Sequence, residues 1–251
     1  MLVADEGVEE CVLCFRSDVP DISIDGNHLS VAASTSLDDV ARIAAAEGRE
    51  GIGFAAGIPG TVGGGICGNA GAFGKALGGI VDRVECLDRG GNIILLSGDE
   101  LGFDYRSSAI QRAGFLIVRA WLRCFPGDKA KLLAEREEML SIRKAKHPDW
   151  KQISTAGSFF KNLPPEKSGG MRIAAGLLLD AVGAKSMFVG RARVFEKHAN
   201  ILIAEKGAKA RDVRELAIDL AKAVYVRFGY ALEPEVQMWG FESRWPEFDS
   251  A

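Results

Sequence analysis

Several residue clusters in this 251-residue chain have types and spacings that could do chemistry. The densest runs from Gly57 to Gly74, GIPGTVGGGICGNAGAFG, where eight of eighteen residues are glycine against 30 in the whole chain. Each glycine costs roughly 0.5–1 kcal/mol relative to alanine inside a helix or strand. The run therefore predicts an irregular backbone whose N–H groups serve a ligand, as in a phosphate- or cofactor-cradling loop. Ile58, Val62, Ile66 and Phe73 give it apolar anchors that a flexible linker lacks. Gly63, Gly65 and Gly68 match the spacing of a dinucleotide fingerprint. That motif needs a strand before it and a helix after it, whereas Pro59 and Gly60 precede and Gly71 and Gly74 follow.

Other clusters are smaller. GFDYRSS places Tyr105 beside Arg106, which for an isolated pair is an ordinary surface arrangement. RKAKHP gathers Arg143, Lys144, Lys146 and His147 before Pro148, where cations suit a helix C-terminus and would also suit a phosphorylated ligand. STAGSFFKN contains Ser158, but Phe160 stands where a serine-hydrolase elbow requires glycine. LEPEV sets Glu233 and Glu235 around Pro234, at a strand start or sheet edge where a polar tip can face a cleft. Cys11 and Cys14 have metal-ligand spacing without a second pair, so no metal site is expected and burial in a strand over VEECVLCFR is the reading.

Elements able to position these groups follow from periodicity. Strands are expected at the start, in HLSVAAS, as a hairpin of VDRVECLD and NIILLS, in FLIVRAWLRC and in KHANILIA. Helices are expected from Ser36, from Asp128 to about Lys146, over MRIAAGLLLDAVG and from Arg211 to Phe228, the last two ended by Gly183 and Gly229. Strands dominate to about residue 124 and helices thereafter, which predicts an α+β protein of two subdomains. Residues 241–251 read as a loosely held tail.

A net charge of −3 without blocks of like charge gives no footprint for nucleic acid. No segment is apolar for long enough to insert in a membrane, and five cysteines fit a reducing compartment, so a cytoplasmic location is expected.

Five of these stretches together, GIPGTVGGGICGNAGAFG, LGFDYRSS, AGSFFKN, KHANILIA and LEPEV, occur in an order that resembles the UDP-N-acetylenolpyruvoylglucosamine reductase family, also called UDP-N-acetylmuramate dehydrogenase. The resemblance spans about Val3 to Gly240. It implies an FAD-binding domain of the vanillyl-alcohol-oxidase (PCMH) type over residues 1–147, an α+β substrate-binding domain over 148–240 and a tail over 241–251. It further implies that FAD, reduced by NADPH, delivers hydride to the enolpyruvyl group of a UDP-sugar during peptidoglycan precursor synthesis. On the matching positions, Ser158 would donate the proton, Arg106 would face the carboxylate and developing enolate, and Glu235 would polarise the intermediate. Gly57, Ile58, Pro59, Gly60, Thr61, Gly63, Gly64, Asn69, Ala70 and Gly71 would line the FAD. Tyr105, Lys146, Asn162 and His198 are candidates for holding the substrate, with packing or surface roles as the alternative.

Family members carry an upstream subdomain ending in a Gly-Ser-Asn loop before a Leu-Leu-Val strand, and this chain begins at Met1-Leu2-Val3. The resemblance therefore implies an N-terminally truncated member with an incomplete FAD-binding domain. The short spacer between Arg106 and Ser158 implies the subgroup without a tyrosine lid loop. A non-catalytic UDP-sugar-binding fragment without tightly bound FAD is the alternative, and a monomer is expected.

Overall fold

The computed structural model describes residues 1–167, 170–242 and 244–248. It divides into two compact units, Val12–Arg143 and a second made of Met1–Cys11 with Lys144–Ala251. The sequence-based boundary at 147/148 falls four residues away within the chain, but the first eleven residues group with the C-terminal unit. Leu2 and Val3 pair in parallel with Met238 and Trp239, which is why a stretch distant in sequence joins that unit.

The unit Val12–Arg143 is built on a five-stranded antiparallel sheet in the order Ile22–Asp25, His28–Ala32, Leu116–Arg123, Val81–Leu87, Ile93–Ser97. Alternation supplies its inner face, with Leu29, Val31, Val84, Cys86, Ala120 and Leu122 all buried. The helices Leu37–Ala46, Val62–Cys67 and Ala109–Ala113 contribute Val40, Ile66 and Ile110 to the same core. The expected start of the first helix is present, with the Ser36 hydroxyl accepting the Asp39 N–H at 3.1 Å. The hairpin turn at Asp88–Asn92 also forms, its carboxylate accepting from the Gly90 and Asn92 N–H groups, both at 2.8 Å.

Two expectations fail here. No strand forms over VEECVLCFR, and Cys11 and Cys14 are exposed rather than buried, as are Val12, Leu13 and Phe15. Apolar strand propensity needs a partner strand to supply the ladder and the packing, and these residues pair with none. The second concerns the glycine stretch, where Val62–Cys67 forms a short α-helix. Thr61 caps it through its hydroxyl at Gly64, and burial of Val62 and Ile66 outweighs the glycine cost.

The other unit carries the sheet Ser154–Ser158, Ile201–Ala204, Ala192–Val194, Phe188–Val189, antiparallel throughout. The helix Ala210–Phe228 packs its Val213, Leu216, Ala217, Leu220 and Val224 stripe into the core, and Gly229 ends it in the left-handed region at φ 72°. Tail residues described after Gly240 are not loosely held. Trp245 lies 6.0 Å from the Phe160 ring and 6.5 Å from the Phe159 ring, and Phe248 lies 5.7 Å from Tyr225. A third aromatic of this segment, Phe241, lies under the Arg214 guanidinium at 5.6 Å. Residues 243 and 249–251 of the expected tail lie outside the described residues.

Candidate active site

Ser158 ends its strand at a deliberate irregularity. The register against Ile201–Ala204 shifts between Thr155 and Ser158, and Gly157 inside the shift adopts φ 78°. A bulge of this kind re-aims the following side chain, and the left-handed conformation explains why glycine precedes the serine. Thr155 holds the bulge, its hydroxyl donating to the Leu202 carbonyl at 2.8 Å and accepting the Gly157 N–H at 3.1 Å.

Glu235 is set by the same backbone. Its N–H donates to the Phe159 carbonyl at 2.7 Å, and Phe160 bridges to Pro234. Phe159 and Phe160 are each 1% exposed and lock this crossing in the core. Asn200, also buried, clamps the far side. Its Oδ1 accepts the Phe160 N–H at 2.9 Å, its Nδ2 donates to the Phe160 carbonyl at 2.8 Å, and its own carbonyl accepts the Phe159 N–H at 2.7 Å. Sequence reading passed over Asn200, since an asparagine in a strand mouth carries no signal of burial until the opposing backbone is placed.

The same unit brings Lys146, His147 and His198 into one neighbourhood. The two imidazole centroids are 5.7 Å apart, and Lys146 is among the charges acting on His198. His198 accepts the Asn200 N–H at Nδ1, 3.2 Å away. Burial, ahead of the neighbouring charges, pushes its pKa below the ordinary 6.5. Asn162 is engaged structurally, its Oδ1 accepting the Ala175 N–H at 3.2 Å where Ala174 cannot cap the helix.

In the unit Val12–Arg143, Tyr105 and Arg106 sit on a turn closed by paired backbone bonds between Asp104 and Ser107 at 3.1 and 3.2 Å. The Arg106 guanidinium lies 5.3 Å from the Tyr105 ring centre, and its backbone is left-handed at φ 54°. A non-glycine residue held there costs on the order of 1–3 kcal/mol, a strain found most often at functional sites.

The glycine stretch uses most of its own N–H groups. Gly57 donates to Asp38 Oδ1 at 2.8 Å, and the same oxygen takes Arg136 at 2.7 Å. Val62 and Gly63 donate to the Thr35 and Ala33 carbonyls, and Ile58, Gly64, Asn69 and Ala70 also donate within the chain. A Cβ at Gly57, Gly63 or Gly65 would come within 3.0 Å of Leu140, Ala33 or Leu37, and Gly57 also holds φ 71°. Arg143 lies against Gly57 and beneath the Phe73 ring, and burial, opposed by Asp38, lowers its pKa. Among the described residues, the N–H groups of Gly60 and Thr61 keep no protein partner. Gly60 is exposed and a Cβ there would meet nothing within 4 Å. Two adjacent unpaired amides on an open loop fit an anionic group such as a diphosphate. Among the described residues no group of three or more His, Cys, Asp and Glu could hold a metal ion.

Comparison with known proteins gives this geometry a family. Residues 148–239 match the model of the UDP-N-acetylenolpyruvoylglucosamine reductase C-terminal domain. The UDP-N-acetylenolpyruvoylglucosamine reductase of Moorella thermoacetica is 38% identical over 241 residues, 96% of this chain and 76% of its own length. The chain belongs to the UDP-N-acetylenolpyruvoylglucosamine reductase family. The reductase of Caldanaerobacter subterraneus subsp. tengcongensis is 34% identical over 240 residues, again 96% of this chain and 76% of that protein. The crystal structure of the Thermus caldophilus reductase superposes with a TM-score of 0.69 at 30% identity, covering 84% of this chain and 72% of that one. The mixed α+β fold is thus that of the reductase family, and its C-terminal domain holds both Ser158 and Glu235.

Proposed function

We propose that this chain reduces the enolpyruvyl group of UDP-N-acetylglucosamine enolpyruvate to UDP-N-acetylmuramate, a step of peptidoglycan precursor synthesis, using FAD and NADPH. The reading is supported by family membership over 96% of the chain at 34–38% identity. The observation that carries it is the anchoring of Ser158 and Glu235 to one buried backbone crossing, a rigid support of the kind that acid and polarising groups need.

When bound, FAD, reduced by NADPH, supplies hydride to the terminal carbon of the enolpyruvyl double bond. Negative charge then develops on the carbon beside the carboxylate, spread onto its oxygens as an enolate. Arg106 is the cation for those oxygens, its planar guanidinium matching a carboxylate in two places. Ser158 gives its hydroxyl proton to the carbon, and Glu235 polarises the intermediate through hydrogen bonding. Gly60 and Thr61 offer the amides that would hold the cofactor's diphosphate, with Gly57, Ile58, Pro59, Gly63 and Gly64 as the wall around them. Tyr105, Lys146 and His198 are proposed to hold the substrate. Asn162 serves the helix at Ala175 and is a weaker candidate.

Ser158→Ala is expected to leave reduction of the bound flavin by NADPH intact and to slow product formation about 10²–10⁴-fold. Single-turnover measurement of the two half-reactions checks this, and a parallel fall in both would make Ser158 structural. Purified protein that stays colourless and takes up no added FAD would favour a sugar-nucleotide-binding role without redox chemistry.

A further inference from the structure

Sequence motifs present the glycine stretch and the GFDYRSS patch as separate features, with residues 75–101 between them. In the structure they are tied together at two points on either side of Arg106. Asn69 Nδ2 donates to the Asp104 carbonyl at 2.8 Å, and the Ser108 hydroxyl donates to the Cys67 carbonyl at 2.8 Å. Asn69 is 9% exposed and Ser108 is 0% exposed, two of the few buried polar side chains among the described residues.

Each tie is itself fixed. Asn69 Oδ1 accepts the Gly78 N–H at 2.9 Å, so both ends of the amide are engaged and its rotamer is set. Asn69 occupies the left-handed region at φ 44°, a conformation asparagine tolerates better than other side chains except glycine. Ser108 also caps the helix Ala109–Ala113 by accepting the Gln111 N–H at 3.2 Å. Between the two ties, Arg106 holds its unfavourable φ of 54°. A strained turn persists only where its surroundings over-determine it, and these two side chains supply that constraint.

We propose that Asn69 and Ser108 are positioning residues for Arg106, fixing the turn that presents this guanidinium to the substrate carboxylate relative to the glycine stretch. The inference rests on the role proposed above for Arg106. It also reassigns Asn69 from a cofactor contact to a brace, since its amide is spent on Asp104 and Gly78.

The test is a double-mutant cycle in the FAD-loaded full chain. Asn69→Gly deletes both side-chain bonds while keeping a residue at ease in the left-handed region. Turnover of the enolpyruvyl UDP-sugar is expected to fall about 10²-fold, the scale of an ångström-sized misplacement, with NADPH reduction of the flavin unchanged. In an Arg106→Ala background the same change is expected to add nothing. Multiplicative losses in the cycle, or equal losses in both half-reactions, would overturn the proposal. If Asn69→Gly does not fold, Ser108→Ala carries the same cycle with the same criteria. Arg106→Ala with full turnover would remove the role of Arg106 and this inference with it, a failure distinct from multiplicative losses, which leave that role standing.

Discussion

The glycine stretch and the Ser158–Glu235 crossing solve the same problem by opposite means. Around Ser158 a few large buried side chains, Phe159, Phe160 and Asn200, hold a short stretch of backbone, and the chemistry-bearing side chains ride on it. In the glycine stretch eight of eighteen positions lack a side chain, and at Gly57, Gly63 and Gly65 the backbone lies directly against Leu140, Ala33 and Leu37. Glycine there answers more than one need, close internal packing at Gly63 and Gly65 and a positive φ at Gly57 and Gly60, of 71° and 115°, while Gly64 borders open space. A run of glycines is therefore not evidence that every residue in it meets a ligand.

The sharpest way to break this contrast is at Asn200. Asn200→Ala leaves the Phe160 N–H and carbonyl without partners in the core, at about 1–3 kcal/mol for each group. Urea unfolding is expected to show that loss, together with loss of product formation, while FAD binding in the other region persists in the fraction that stays folded.

Two neighbouring glycines test the other side. Gly63→Ala puts a Cβ 3.0 Å from the Ala33 Cβ and 3.3 Å from its carbonyl oxygen, a site where overpacking costs about 1–3 kcal/mol. Gly64→Ala meets only the Thr61 hydroxyl at 3.6 Å, so the apoprotein is expected to gain roughly 0.5–1 kcal/mol from the better helix former. Thermal melts of both apoproteins check the opposite signs. If Gly64 faces cofactor, its alanine variant binds FAD more weakly despite melting higher, and unchanged affinity would assign Gly64 to neither role.

The smallest effect belongs to His198. Burial lowers its folded pKa below the unfolded value of 6.5, so the unfolded chain binds more protons between those two values. Its contribution is present above pH 6.5 and is lost as pH falls through the folded pKa. Denaturation midpoints measured from pH 7.5 downward should decline in that window, and His198→Asn should flatten the slope.

Much of this was legible beforehand because it depends on near neighbours in the chain. The Ser36 cap, the Asp88–Asn92 turn and the Gly183 and Gly229 helix stops follow from side chains acting on their own backbone within a few residues. Arg106, Ser158 and Glu235 carried little signal as isolated residues and became candidates through the order of the motifs that hold them, which is what resembles the family. The misread segments needed partners far away. VEECVLCFR has the residues of a strand and no strand beside it, and the residues after Gly240 read as a loose terminal tail yet place Trp245 on Phe159 and Phe160.

By itself, then, the amino-acid sequence determined the helix and hairpin signals, set by local preference and residue type, and through the order of its motifs the family and the candidate side chains. Only the tertiary structure decided which of those groups are available. Backbone amides and buried amide side chains are satisfied by whatever lies opposite them, and that is a property of the folded neighbourhood. Asn69 stands by sequence in a glycine stretch read as a cofactor loop, and only the fold shows that its side-chain amide is engaged by Asp104 and Gly78.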